Sequence, residues 1–155
     1  KKYNMITIDE LKDKLTDNSI LIGLDLGTKR MGIAICDDKR KIATPFKIVE
    51  YRNMEYLLNE LKIIIKDNNI LAIIIGNPIN MDGSLGKSVQ SINDKAKIIE
   101  KELKLPISMW DERLSTSGAF NISSNMDIRF PDRKKNIDKK AAAFILQGAI
   151  DYLNN

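Results

Sequence analysis

The chain carries three acidic positions whose surroundings suit chemistry: Asp25, the adjacent pair Asp111-Glu112, and Asp138. Asp25 lies within Ile20-Leu-Ile-Gly-Leu-Asp-Leu-Gly27, an apolar stretch where an aspartate is disfavoured and an unpaired carboxylate is costly to bury. In an extended strand, Leu21, Gly23, Asp25 and Gly27 share one face and Ile20, Ile22, Leu24 and Leu26 the other. Two glycines beside the aspartate leave backbone-lined space for a ligand or a metal. The plainer alternative is a carboxylate satisfied by the amides of the Gly27-Thr28 turn. The chain has no histidine, which excludes Ser-His-Asp and Cys-His chemistry and a histidine-built zinc site. A bound metal must then be held by oxygen, which points to Mg²⁺ or Mn²⁺. Carboxylates that converge on such ions are the equipment of two-metal phosphodiester hydrolysis, with the ions about 4 Å apart.

Asp111 and Glu112 follow Trp110 at the end of an apolar segment, and ligand sites in open α/β sheets gather at the carboxyl ends of strands. Neighbouring side chains of a strand point oppositely, so only one of the two faces Asp25. A surface acid paired with Arg113 is the alternative. Asp138 is in helical register with Ala142, on the apolar stripe formed by Ala141, Ala142, Ile145, Leu146, Ala149 and Leu153. It reads equally as a helix N-cap. Between these acids runs a basic segment, Arg129 to Lys140, containing Arg133, Lys134, Lys135 and Lys139. It has no clear period and reads as a solvated loop or as a grip on a phosphate backbone. Gly76-Asn-Pro78 and Met81-Asp-Gly-Ser84 read as a loop between strand and helix.

The elements that must position these residues follow from periodicity. Thr7 and Glu10 have capping-box spacing and predict a helix to about Thr16. Strands are expected over Ile20 to Gly27, Met31 to Cys36 with an Asp37-Asp38 turn, and Thr44 to Glu50, joined as an antiparallel meander. Met54, Leu57, Leu58, Leu61, Ile64 and Ile65 predict a helix ended by Asn68-Asn69. Ile70 to Ile75 is an unbroken apolar run, the signature of a strand covered on both faces. A helix through Val89, Ile92, Ala96, Ile99 and Leu103, a strand from Pro106 to Trp110, and a helix from Asp138 to Leu153 complete the chain. The expected architecture is an α/β fold with a five-stranded mixed sheet in the order βββαβαβα, flanked by helices, after an extra N-terminal helix.

At 155 residues the chain has the length of one domain with a sizeable core. The expected division is an N-terminal helical extension over residues 1–19 and a catalytic domain over 20–155. A single cysteine, Cys36, precludes an internal disulfide and fits a reducing compartment. No apolar run approaches the ~20 residues that span a bilayer, so a cytoplasmic protein with no membrane partner is expected. The net charge of +4 permits a polyanionic partner without demanding one.

Taken together, the segments Gly23-Leu-Asp-Leu-Gly-Thr-Lys-Arg-Met-Gly-Ile-Ala34, Gly76-Asn-Pro-Ile-Asn-Met-Asp-Gly-Ser84, Asp111-Glu-Arg-Leu-Ser-Thr116 and Asp138-Lys-Lys-Ala-Ala-Ala-Phe-Ile-Leu-Gln147 resemble, in order, the motifs of the YqgF/RuvX family. That family is described both as Holliday junction resolvases and as pre-16S rRNA nucleases. The resemblance covers the chain from about Ile20 to its end and implies a ribonuclease H-like fold, divalent metal, and cytoplasmic work on ribosomal RNA precursors or branched DNA. By motif match, Asp25, Asp111, Glu112 and Asp138 form the acidic cluster, with Asp25, Glu112 and Asp138 as metal ligands. Arg30, Asp82 and Arg113 belong to the site's surroundings. Thr28, Lys29, Arg30, Arg113, Arg133, Lys134 and Lys135 are the expected nucleic-acid contacts. Asn77 departs from the family, which usually has leucine before the proline.

The expected function is maturation of the 16S rRNA precursor 5′ end by a monomer, with ribosomal particles as a further partner. Holliday junction resolution, which calls for two symmetric cuts and hence a dimer, is the alternative. Two other readings compete. Asp-x-Gly-Thr before a Gly-Ile-Ala strand also resembles the phosphate hairpin of actin-like ATPases, although those need two such domains and have no place for Asp111-Glu-Arg. A non-catalytic, RNA-binding assembly factor on the same fold is the other.

Overall fold

The computed structural model describes residues 5–77, 87–112 and 134–155, with side chains from 90 and from 140 in the last two segments. The elements run α1 (Ile8–Lys14), β1 (Ile20–Leu26), β2 (Arg30–Cys36), β3 (Ala43–Glu50), α2 (Met54–Asn68), β4 (Ile70–Asn77), α3 (Lys87–Leu103), β5 (Ile107–Asp111) and α4 (Lys134–Leu153). This is the expected element order. The five strands form one sheet in the order β3-β2-β1-β4-β5. β1, β2 and β3 pair antiparallel as the meander, while β1, β4 and β5 run parallel through the α2 and α3 crossovers.

Local chemistry explains the boundaries. The Thr7 hydroxyl accepts from the Glu10 amide while the Glu10 carboxylate accepts from the Thr7 amide, closing the capping box at α1. Asn53 caps α2 by accepting from the Tyr56 amide, and Asn69, at φ 54°, ends it in the left-handed region that asparagine tolerates. In the β2–β3 turn, Asp37 Oδ1 accepts from the amides of Lys41 and Ile42 at 2.8 and 2.9 Å. Those amide donors favour the ionised form and hold the Asp37 carboxyl below its ordinary range. Pro45 sits within β3, where the edge position spares it from donating to a second neighbour.

The sheet separates two cores. Ile22, Leu24, Ile33, Ile73 and Ile75 pack with Leu57 and Leu61 of α2 and Ile92 and Ile99 of α3. On the opposite face, Leu21, Ala34, Ile74 and Trp110 pack with Ala142, Ile145, Leu146 and Ala149 of α4. The unbroken β4 run contributes Ile73 and Ile75 to one core and Ala72 and Ile74 to the other, as a doubly covered strand requires. α1 buries Leu11 completely in the α4-side core, and Met5 bridges to Ile107 beside it.

One boundary differs in substance. α4 begins at Lys134, four residues before the expected start at Asp138. Lys134 and Lys135 are good helix formers, and Ile137 lies one helical turn before Ala141, so the sequence sustains the helix ahead of Asp138. The carboxyl part of the basic segment is therefore helical rather than loop, and residue 138 lies inside the helix, which removes the N-cap reading. Among the described residues, no helix is long and apolar enough to cross a membrane.

Candidate active site at the carboxyl ends of the parallel strands

Asp25 lies at the penultimate position of β1, on the α4 face with Leu21 and Gly23 as alternation predicts. Leu24 is paired with Ile75 of β4, and Gly76 with Trp110 of β5. Continuing that register sets Asp25 beside Gly76, with the end of β5 beyond. Gly76 thus occupies the strand between the two acidic ends, and its missing side chain matters. A Cβ there would collide with Ile145 of α4 and lie 2.9 Å from Glu112 Oε2. The space left by the missing side chain is taken by Ile145 and, beside it, by the Glu112 carboxylate.

Electrostatics agrees with that placement. The Glu112 carboxyl is pushed up to about 7, first by burial and then by the negative charges of Asp25 and Asp111. Asp25 acts more strongly than the covalent neighbour Asp111. Alternation along β5 gives the reason: Trp110 belongs to the α4 face, so Asp111 turns to the other, beside its register partner Asn77. Of the Asp111-Glu112 pair, Glu112 faces Asp25.

α4 is positioned over this end of the sheet by a second glycine. A Cβ on Gly23 would lie 2.7 Å from Leu146 Cβ and 3.1 Å from the Ala142 carbonyl oxygen, so the helix rests directly on β1. Position 138 is one helical turn before Ala142, about 6 Å along the axis. It therefore lies at the same end of the sheet as Asp25. The side chains of Asp138, Lys134 and Lys135 lie outside the described residues, as do Asp82, Arg113 and Arg133 altogether. Among the described residues no three metal-ligating side chains come together; Glu112 lies within electrostatic reach of both Asp25 and Asp111.

Beside Asp25 the β1–β2 turn carries Thr28, Lys29 and Arg30. Gly27 closes the turn by donating its amide to the Arg30 carbonyl at 2.8 Å. A Cβ at Gly27 would lie 2.8 Å from that same oxygen. A cleft of about 1230 Å³ opens here, lined by Asp25, Gly27, Thr28, Lys29, Arg30, Glu50, Tyr51 and Arg52. The last three are residues the sequence did not single out. Tyr51 reads as the end of an edge strand, and Arg52 as an isolated surface cation. Only the observed wrap of β3 around the turn brings them to Asp25.

A mixed five-stranded sheet with acids at the carboxyl ends of its parallel strands defines a ribonuclease H-like protein. Solved structures agree on the fold. Thermus thermophilus RuvC in complex with a Holliday junction substrate superposes with a TM-score of 0.57 at 9% identity, over 86% of this chain and 94% of that one. The yeast mitochondrial Holliday junction resolvase Ydc2 gives 0.58 at 12% identity, over 95% and 84%. Residues 19–152 match the model of the RuvX family, described as Holliday junction resolvase, and the chain belongs to that family. A relative from Pelagibacter ubique named "Putative pre-16S rRNA nuclease" is 61% identical over 97% of this chain and its own full length. One of the same name from Rhodobacter capsulatus is 40% identical over 94% of this chain and 92% of its own.

Proposed function

We propose that the chain is a divalent-metal-dependent nuclease that hydrolyses phosphodiester bonds in structured nucleic acid, with the 16S rRNA precursor 5′ end as substrate. The observation that carries this reading is the approach of Glu112 to Asp25 across the gap left by Gly76. Burial first, and then the charges of Asp25 and Asp111, raise the Glu112 carboxyl to about 7, and these carboxylates form an all-oxygen donor set whose repulsion a hard cation would relieve. The name of the relatives from Pelagibacter ubique and Rhodobacter capsulatus supports the same activity and substrate, and the family's description as Holliday junction resolvase supports the nuclease activity alone.

The residues that would hold Mg²⁺ or Mn²⁺ are Asp25 and Glu112, with Asp138 brought to the same end of the sheet by α4. The bound ions would supply Lewis acidity at the phosphoryl oxygen and an activated water at neutral pH. The protein's part is placement. Asp25 is fixed by its strand, Glu112 by the end of β5, and position 138 by the seating of α4 on Gly23. Asp111, turned to the opposite face, adds negative charge that raises the Glu112 carboxyl further. Thr28, Lys29 and Arg30 lie where a phosphate backbone entering over the β1–β2 turn would be gripped, and Arg113, Arg133, Lys134 and Lys135 are assigned to the same task. We place the enzyme in the cytoplasm, as a monomer working on precursor rRNA or ribosomal particles. We assign residues 1–19 as an extension to the 20–155 nuclease domain, to which α1 contributes Leu11 in the α4-side core.

The test is cleavage by purified protein of precursor 16S rRNA and of a four-way DNA junction side by side, combined with sizing in solution. We expect a monomer that cuts the RNA. A dimer making paired nicks in the junction while ignoring the RNA would replace this reading with junction resolution. Binding without any cleavage in metal would leave an RNA-binding assembly factor.

A further inference from the structure

The cleft beside Asp25 holds three cations, Lys29, Arg30 and Arg52, and two carboxylates, Asp25 and Glu50. These charges are not equivalent. Arg30 and Glu50 face each other as register partners across β2 and β3, so they offset one another within the sheet. Lys29 and Arg52 are both exposed and make no ion pair among the described residues. They are also neighbours: the Tyr51 amide donates to the Lys29 carbonyl at 3.0 Å, which sets residues 51 and 52 directly against the turn.

The wall on which these two cations stand is unusually well fixed for a hairpin turn. Tyr51, only 8% exposed, donates its hydroxyl to the Gly27 carbonyl. Lys95, on α3, donates to the same carbonyl at 3.2 Å and lies 5.5 Å from the Tyr51 ring centroid, a cation–π distance. Its charge is thus committed behind the turn, and it does not line the cleft. A phenol, an ammonium group and a backbone amide all hold a turn of otherwise exposed residues. Such fixing is what a binding wall needs if its cations are to meet a ligand without further ordering cost.

We propose that this cleft is a phosphate-backbone subsite flanking the bond cut at Asp25, in which Arg52 and Lys29 contact phosphates and Tyr51 is the positioning residue that fixes their wall. The subsite rests on the nuclease reading for its substrate, and adds Arg52 and Tyr51 to the groups that reading uses. The strand would enter across the β3 side of Asp25, along a wall that presents cations next to each other, as consecutive phosphates require.

The experiment measures binding of a labelled RNA carrying the precursor 5′ flank, in chelator so that no cleavage competes, over a range of salt. Arg52→Gln raises Kd about 3- to 10-fold and lowers the log Kd against log salt slope by about 0.7–0.9, the loss of one phosphate contact. Arg52→Lys restores the slope. Lys62→Gln, the same charge change on the exposed surface of α2 away from the cleft, leaves both unchanged. Tyr51→Phe, which keeps the ring, raises Kd in the wild-type background but adds nothing to the double variant Lys29→Gln/Arg52→Gln, because it acts through those two residues. An unchanged slope in Arg52→Gln, an equal loss in Lys62→Gln, a further loss when Tyr51→Phe is added to Lys29→Gln/Arg52→Gln, or no RNA binding by the wild type would each overturn the subsite. Cleavage with metal is read separately. Binding that behaves as stated in a protein that never cuts would sink the nuclease reading and leave the subsite standing. Cutting by a protein whose affinity ignores Arg52 would do the reverse.

Discussion

Replacing Glu112 by glutamine removes one charge from the site while keeping its size, and the stability that results is set by the environment already described. The carboxyl is pushed up from 4.5 to about 7 by burial and by the charges of Asp25 and Asp111. Below pH 4.5 the group is protonated in both folded and unfolded chains, so it carries no penalty. Between 4.5 and 7 the unfolded chain releases the proton and the folded chain keeps it. Stability therefore falls as pH rises through this window and levels off above 7. A displacement of this size corresponds to at most about 3 kcal/mol, and contact with solvent reduces it, so about 1–3 kcal/mol is expected. Urea unfolding in chelator should then find Glu112→Gln more stable than wild type by about 1–3 kcal/mol at pH 8 and equal to it at pH 4. Added Mg²⁺ should stabilise the wild type and not the variant, since only the wild type retains the full donor set. A stability difference independent of pH, or a variant less stable than wild type at pH 8, would refute the picture of a strained pair of carboxylates.

The remaining predictions concern how the site is held. Gly23→Ala should push α4 off β1, because the new Cβ meets Leu146 Cβ at 2.7 Å and the Ala142 carbonyl oxygen at 3.1 Å. The cost expected is about 1–3 kcal/mol, seen as a Tm lower by roughly 2–4 °C per kcal/mol; an unchanged Tm would mean that the helix is not seated there. Neutralising Arg133, Lys134 and Lys135 together should lower the salt slope of RNA binding by about two to three units and change turnover at saturation less. An unchanged slope would return that segment to a solvated surface. Cys36 is buried and its thiol is raised by that burial, so a thiol reagent at pH 8 should modify it only after urea unfolding. Rapid modification of the native protein would contradict the packing of the α4-side core.

Much of this was readable from residue types because local chemistry and packing agree. The Thr7–Glu10 pair forms the capping box its spacing promises, Asn69 ends α2, and the alternation in β1 puts Asp25 on the face with Gly23. The alternative for Asp138 fell to a structural fact: lysines 134 and 135 carry the helix past the point where apolar periodicity begins. Gly76 looked like turn chemistry, yet it lies in β4, where its missing side chain lets Glu112 approach. That role depends on register across three strands, which no local pattern contains. Tyr51, Arg52 and Lys95 were unreadable for the same reason. Tyr51, just after β3, and Lys95, on α3, meet at the Gly27 carbonyl, Arg52 follows Tyr51 into the cleft, and each looks ordinary within its own stretch of chain. Which of Asp111 and Glu112 faces Asp25 also needed the structure, because it turns on which core Trp110 joins.

The central claim is that carboxylates anchored at Asp25 cut phosphodiester bonds with divalent metal. The direct measurement incubates purified wild type and Asp25→Asn with precursor 16S rRNA, in Mg²⁺ or Mn²⁺ and in excess chelator, after confirming that both proteins are folded. Wild type should cut only with metal, and Asp25→Asn should not cut under either condition. Cleavage by Asp25→Asn at the wild-type rate, or by wild type in chelator, would contradict it.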